Sequence, residues 1–406
     1  MSASSLSCHT AKRRWFTCTP VAFKGDHTFF CRDTGLFSRS FRKLGFESKA
    51  VMPMPGYDVD YVDEVLRTEY RNLESADWWR SLDIEGVLLY SWGAPRYTKI
   101  ARAIHEAGVK LVVFMDFNGD FSEWWTWRHV VRQPWAATVG VKGWKAFSAF
   151  CRSVWRHGVH DMMVDVMRSR HLRFADVVVM GNPFCRAEFE RLAWIYGSEI
   201  KRKGILLPCP VDEKFSYDGT TKEYRVISIG RWDDDYQKRP AVLMRVLEEL
   251  VRRDHEVAVD LYGQTTEVLR SWHAALSEAE RSRILLHGVV RNEELLPAYR
   301  RAMVSFCCSS YESAHIVSVE AICCGASIVT SNRKGLASLH WYASEESGTI
   351  SPEDTPESMA DALLEELKAW KNGRRDPSRI SRVWTERMYA VNFLPQLLEK
   401  VASLDS

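Results

Sequence analysis

Two acidic residues, Glu312 and Glu320, stand eight positions apart in a segment running from Tyr311 to Gly325, between an apolar run that ends at Cys308-Ser309-Ser310 and a second run from Ala326 to Thr330. The pattern predicts strand, loop, helix, glycine stop and strand. Glu312 then falls on the loop at the carboxyl end of a strand, and Glu320 about one to two turns into the following helix, so both face one crevice. Carboxylates accept hydrogen bonds from hydroxyls, while the free amides and positive end of a helix start receive phosphate. A sugar carried on a nucleoside diphosphate presents both kinds of group. Taken alone, two glutamates at this spacing equally describe a solvated face, and the neighbouring segments have to decide.

Upstream, Tyr224 to Gly230 is an apolar strand that breaks at a glycine, followed by Arg231, Lys238 and a helix beginning at Pro240. Val257 to Gly263 and Ile284 to Gly288 are two more short strands ending in glycine, the second running on through Val290 and Arg291. Four strand ends thus deliver glycine, cation and carboxylate to one edge of a sheet. In open α/β sheets that edge is where nucleotides bind.

The order Gly230-Arg231 to Lys238, Gly288-Val-Val290, Glu312 to Glu320 and Cys324-Gly-Ala-Ser-Ile-Val329 resembles the C-terminal half of the retaining GT-B glycosyltransferases, the sucrose-synthase and glycogen-synthase-like group often called family 4 or glycosyl transferases group 1. Pro208 to Phe215 is similar to the segment linking the two halves of that family. The resemblance runs from about Leu172 to the C-terminus; before it only the rhythm of strands and helices matches. It implies that Arg231 and Lys238 seat the donor diphosphate, where negative charge develops as the leaving group departs. Arg239 is a neighbour able to replace Lys238. Glu320 would accept from the ribose hydroxyls and Glu312 from hydroxyls of the transferred sugar. Gly230, Gly263, Gly288 and Val290 would frame the nucleotide through backbone groups, with Ile316 and Val317 at the helix start.

Between the glutamates the family has glycine-rich sequence, and here Ser313, Ala314 and His315 replace it. That makes His315 a candidate donor contact, although a lone histidine is more often a loop or helix-start residue. In the first half, Phe23-Lys24-Gly25-Asp26 is the nearest equivalent of the family's early glycine loop, which places Gly25 on the acceptor side. Asp116, after the run Lys110 to Met115, lies where relatives carry a histidine facing the sugar and is a candidate to orient the acceptor or take its proton; a turn or helix-cap aspartate is the alternative. Asp233-Asp234-Asp235 reads as a solvated turn, so the expectation is no metal and no obligatory cofactor, with the nucleoside-diphosphate sugar as co-substrate.

With 406 residues, 46% hydrophobic and 27% charged, the chain has room for two globular domains. A formal charge of +2 argues against coating a polyanion such as nucleic acid. The start lacks the apolar core of a secretory signal and no stretch reaches bilayer-spanning length, so the expectation is a cytoplasmic protein. Among ten cysteines, the adjacent pairs Cys307-Cys308 and Cys323-Cys324 suit small core residues, and no spacing makes a tetrahedral zinc site.

Strands are predicted at Phe16 to Thr19, Glu47 to Met52, Gly86 to Tyr90, Lys110 to Met115 and Asp176 to Met180, alternating with helices such as Leu36 to Leu44 and Tyr97 to Ala107. The alternation implies parallel sheets covered by helices. The expected fold class is α/β with two Rossmann-like domains, and the resemblance implies that they face across a cleft in a GT-B arrangement. The expected boundaries are 1–212 for an N-terminal domain with an aromatic and basic insertion at 121–170, 213–382 for a C-terminal domain, and 383–406 for a last helix; the resemblance implies that the first takes the acceptor, the second the nucleotide sugar, and that the last helix packs back on the first. Helices close the chain at Pro356 to Trp370 and Val383 to Val401.

From Trp124 to Trp155 six tryptophans, Trp124 and Trp127 among them, alternate with arginines and lysines and no acidic residue. Such a segment either covers the sheet and lines the acceptor cleft, which names Trp124 and Trp127 as acceptor contacts, or rests at a membrane interface. The function that the resemblance implies is a retaining transferase of a hexosyl group from a sugar nucleotide to a hydroxyl of a glycan, glycolipid or small molecule. Two alternatives stand beside it: an inactive GT-B-like scaffold, and a membrane-peripheral enzyme acting on a lipid-linked saccharide.

Overall fold

The computed structural model describes residues 13–404 apart from 59–60, 117–134, 136–137 and 139–141. Trp124 and Trp127 therefore lie outside the described residues. The first sheet is built from β1 (Trp15–Cys18), β2 (Ala50–Pro53), β3 (Val65–Thr68), β4 (Gly86–Tyr90), β5 (Lys110–Met115), β6 (Val177–Met180) and β7 (Gly204–Leu206). Their order is β3-β2-β1-β4-β5-β6-β7 and every pairing is parallel. The central strands are buried along their whole length, as Gly-Val-Leu-Leu-Tyr of β4 and Val-Val-Val-Met of β6 require of a sheet covered on both faces.

The second sheet contains β8 (Glu223–Gly230), β9 (Ala258–Gly263), β10 (Ile284–Gly288), β11 (Ala302–Cys307), β12 (Ser327–Ser331) and β13 (Gly348–Ser351). They run in the order β10-β9-β8-β11-β12-β13, again all parallel. The chain lays down β8, β9 and β10 toward one edge and then returns to the other side of β8 with β11. The carboxyl ends of β8 and β11 therefore flank a topological switch point, where helices leave in opposite directions and open a crevice.

Three strands escape the sequence pattern: β3, β7 and β13. All three are sheet edges of three or four residues. An edge strand has one pairing partner and tolerates polar residues, as Arg67 in β3 and Thr349 in β13 do, so its apolar signal is weak.

The chain end corrects a second expectation. In place of one helix from Val383 to Val401, two helices run over Pro377–Met388 and Ala390–Ala402. Tyr389 between them is extended, with φ −81° and ψ 124°. Its hydroxyl donates to the carbonyls of Glu213 and Phe215, while the Val211 amide donates to Met388 O. The break thus docks onto the connecting segment between the sheets, which the first sheet also holds through Arg39 to Asp212 at 3.0 Å and Lys43 to Glu213 at 2.7 Å. Beyond it, Ala390, Phe393, Leu394, Leu397 and Val401 share one core with Phe37, Phe41, Leu88 and Val112 of the first sheet's layers.

The nine described cysteines are free thiols. Replacing the buried Phe393, 4% exposed, by alanine should cost about 3–5 kcal/mol in denaturant unfolding. Exposed Gln396 to alanine should change stability by less than about 0.5 kcal/mol. Equal losses in the two variants would contradict the docking of this helix.

Candidate functional site

At the switch point, the loop after β8 carries Arg231 to Arg239 and the loop after β11 carries Cys308 to His315. Lys238 donates to Glu312 Oε1 at 2.5 Å, and both side chains are nearly buried. Gln237 Nε2 donates to the other oxygen, Oε2, at 3.3 Å and to Tyr311 O at 3.2 Å. Arg231 in turn reaches Gln237 Oε1 at 3.1 Å and Asp234 at 3.4 Å, with its side chain 70% exposed. A continuous polar chain therefore leads from an exposed guanidinium to a buried ammonium. Arg239 does not stand in for Lys238. It adopts the left-handed conformation at φ 54° and binds Asp354 at 2.8 Å and Cys308 O at 3.2 Å.

Burial opposes ionisation of Glu312, but the neighbouring His315, the Lys238 ammonium and the Lys238 hydrogen bond outweigh it and hold the carboxyl below its ordinary range. His315 is the N-cap of the helix Ile316–Cys323, at φ 48° and ψ 63°. This left-handed conformation suits a glycine and costs a side-chain-bearing residue roughly 1–2 kcal/mol. Packing and the 2.7 Å bond between His315 Nδ1 and Ser318 Oγ offset it. Because the histidine ring is occupied with Ser318, no side chain caps the helix. The first-turn amides of Ile316 and Val317, which by position have no intrahelical partner, therefore point out of the helix start without a side-chain acceptor. Burial pushes the His315 imidazole down to about 4, with Lys238 adding to the drop and Glu312 opposing it.

Glu320 lies one turn farther along, 2% exposed. It accepts from Tyr299 Oη at 2.8 Å and Asn292 Nδ2 at 3.1 Å. Burial pushes its carboxyl up, against those two hydrogen bonds and the charges of Arg32 and Lys214. Asn292 Oδ1 is buried and has no hydrogen-bond partner among the described residues.

Gly263, at φ 117°, is required by contact: a Cβ there would lie 1.8 Å from Gly230 O. Gly288, at φ 70°, ends β10 in open space. Val290 and Val317 pack partly buried against the second core, whereas Ile316 packs against the core of the first sheet.

Cys307, Glu312 and His315 bring three potential metal-ligand atoms within 4.8 Å of one another. The Lys238 ammonium already supplies Glu312 with the positive charge that a cation would bring.

Across the crevice, Asp116 follows β5. Its two oxygens accept from Tyr90 Oη at 2.9 Å and Cys209 Sγ at 3.5 Å. A hollow of about 400 Å³ opens near the carboxyl ends of β1 and β4, lined by Phe23, Lys24, Asp26, Arg32, Tyr90 and Trp92 among others. Gly25 itself is buried against Asp58, so its neighbours and not Gly25 line the hollow. The two halves meet at His27 and Glu293, 3.1 Å apart, and through Asn182 to Ser338 at 3.1 Å, whose hydroxyl also donates to Ser313 O.

The structure therefore brings Arg231, Lys238, Glu312 and His315 into one cluster, puts Glu320 in the helix behind them, and sets Asp116 on the facing half. Gln237, Asn292 and Arg32 were not foreseen. Gln237 stands beside Lys238 and Asn292 follows Gly288-Val-Val-Arg291, but only the fold shows which carboxylate each one meets.

Residues 223–369 match the family model described as glycosyl transferases group 1. The whole chain has the GT-B fold. It is similar to HepE from Anabaena, solved with UDP and glucose, at 11% identity and a TM-score of 0.60, covering 96% of this chain and 100% of that one. The lipopolysaccharide outer core galactosyltransferase WaaB in its apo form is similar at 12% identity and a TM-score of 0.63, covering 96% and 99%. WaaG, a glycosyltransferase involved in lipopolysaccharide biosynthesis, aligns at 15% identity with a TM-score of 0.55, covering 95% and 99%. No curated protein matches the chain in sequence.

The buried histidine makes the group 1 segment's stability pH-dependent. An unfolded histidine takes up a proton near its ordinary value of 6.5, the folded one only near 4. The unfolded chain thus binds more protons in that window, so stability is complete above it and falls as pH drops through it. Urea midpoints measured across this range should slope less steeply for His315→Gln than for wild type. Parallel slopes would contradict the buried, neutral imidazole.

Proposed function

We propose that this protein is a glycosyltransferase that moves a hexosyl group from a nucleoside-diphosphate sugar to a hydroxyl acceptor, with retention of configuration at the anomeric carbon. The observation that carries the reading is the Lys238 and Glu312 pair at the β8/β11 switch point, joined through Gln237 to Arg231 and placed before an uncapped helix start. Retention, the hexose and the acceptor rest on the family resemblance. HepE, solved with UDP and with UDP-glucose, supports a nucleotide-sugar donor.

In this reading the diphosphate lies over the amides of Ile316 and Val317, with Lys238 and Arg231 taking up charge as it leaves. Glu320, held by Tyr299 and Asn292, accepts from ribose hydroxyls, and the unpartnered Asn292 Oδ1 is a second acceptor for them. Glu312 is the acceptor for hydroxyls of the transferred sugar, and His315, neutral at neutral pH, is positioned to donate or accept beside it. Gly230, Gly263, Gly288 and Val290 border the nucleoside. The acceptor enters through the hollow at Lys24, Arg32 and Trp92. As the bond from the anomeric carbon to the phosphate oxygen breaks, the acceptor oxygen bonds to that carbon from the same face and its proton passes to the departing phosphate. Asp116, already engaged by Tyr90 and Cys209, orients the acceptor. No divalent ion is required because side-chain cations and the helix start carry the leaving-group charge.

A thermal-shift panel of nucleoside diphosphates and sugar nucleotides tests donor binding, since a ligand held at about a hundredfold its Kd adds about 2.7 kcal/mol to the folded state. Arg231→Ala, at an exposed side chain, should fold normally and lose on the order of 10²–10³ in turnover, with Lys238→Ala losing at least as much. A panel with no stabilising nucleotide, or full turnover in both variants, would point to a GT-B-like scaffold instead.

A further inference from the structure

We propose that the helix Trp144–Val154 and the turn after it dock the protein on an anionic lipid surface. This inference does not depend on the transfer reaction. Among the described residues no helix is long and apolar enough to cross a membrane, so the contact would be peripheral.

The helix is amphipathic in the wrong sense for a core element. Trp144, Phe147 and Val154 are 78%, 56% and 41% exposed, and Trp155, which opens the π-helical turn Trp155–His160, is 60% exposed. At spacings of three, seven and one they form a single apolar stripe turned to solvent. The residues turned inward are smaller or more polar: Ala146 and Ala149 are half-buried, and Ser153 is the buried one. Trp144 and Phe147 pack on each other at 5.2 Å between ring centres, and exposed Trp135 packs on Phe150 at 5.3 Å.

Beside this stripe runs a second one made of Lys145, Arg152 and Arg156, all exposed, with Lys142 just ahead of the helix. The sequence has no aspartate or glutamate between Trp124 and His160. Exposed indole and phenyl rings bordered by cations match the acyl boundary and phosphate layer of an anionic bilayer. A second copy of the chain is a poorer occupant, because a two-fold contact would set basic stripe against basic stripe.

Flotation with equimolar phosphatidylglycerol and phosphatidylcholine vesicles, against phosphatidylcholine alone, tests the proposal on the full chain. Wild type should float with the anionic vesicles, less so as salt is raised, and not with the neutral ones. Trp144→Ser with Phe147→Ser, and separately Lys145→Glu with Arg152→Glu, should stay at the bottom while melting as wild type does, because all four side chains face solvent. Lys145→Ala alone should weaken partition roughly fivefold. Wild type that fails to float with anionic vesicles, or variants that float as well as wild type, would overturn the assignment. So would a lipid-free wild-type dimer that the same substitutions dissociate, since the stripe would then be a protein interface.

Discussion

A buried ammonium set against a buried carboxylate occupies the point where the strand order of the second sheet reverses. Removing either charge from water costs several kcal/mol, and their attraction repays it only when the remaining hydrogen-bonding capacity is satisfied. Around Glu312 that condition is met by Lys238 on one oxygen and Gln237 on the other. A pair of this kind contributes little stability beyond what an apolar pair of the same shape would supply. It does hold a cation ready, at fixed position and in a low-dielectric pocket, where it acts on a polyanion more strongly than a solvated lysine. On the proposed function the diphosphate becomes a second partner for Lys238, and Glu312 is freed to accept from sugar hydroxyls.

Everything else in the fold keeps the facing halves near this pair. The break at Tyr389 ties the connecting segment to the chain end, and the helix Ala390–Ala402 then completes the first sheet's core. The loop Ser313 to His315 is held by Ser338 of its own half, which Asn182 reaches from across the crevice, and Ala314 and Ile316 pack into that same core. The segment that replaces the family's glycines is thus braced by the opposite half. His315 accepts a left-handed backbone because its ring and neighbours are packed there.

Much of this was legible in the chain. Strands ending in glycine, the cations after β8 and the two glutamates around the β11 helix announced a parallel sheet with a nucleotide edge, because apolar runs, glycine stops and charge placement are local signals. What stayed hidden depends on contacts between distant segments. Lys238 and Glu312 are 74 positions apart, and their pairing appears only once β8 and β11 are neighbours. Asn292 meets Glu320 from the start of the helix Asn292–Arg301, and Arg32 faces it from the other half of the molecule. The edge strands β3, β7 and β13 were too short to stand out, and β3 and β13 also carry polar residues. Tyr389 broke a helix whose apolar period continued through it, since its hydroxyl gains two carbonyl partners that the sequence does not reveal.

The most direct measurement is a crystal structure of the protein with a nucleoside diphosphate bound. The account predicts phosphate oxygens within hydrogen-bond distance of Lys238 Nζ, the Arg231 guanidinium and the Ile316 amide, with the ribose at Glu320. A diphosphate seated elsewhere, with Lys238 still bonded to Glu312 alone, would contradict it.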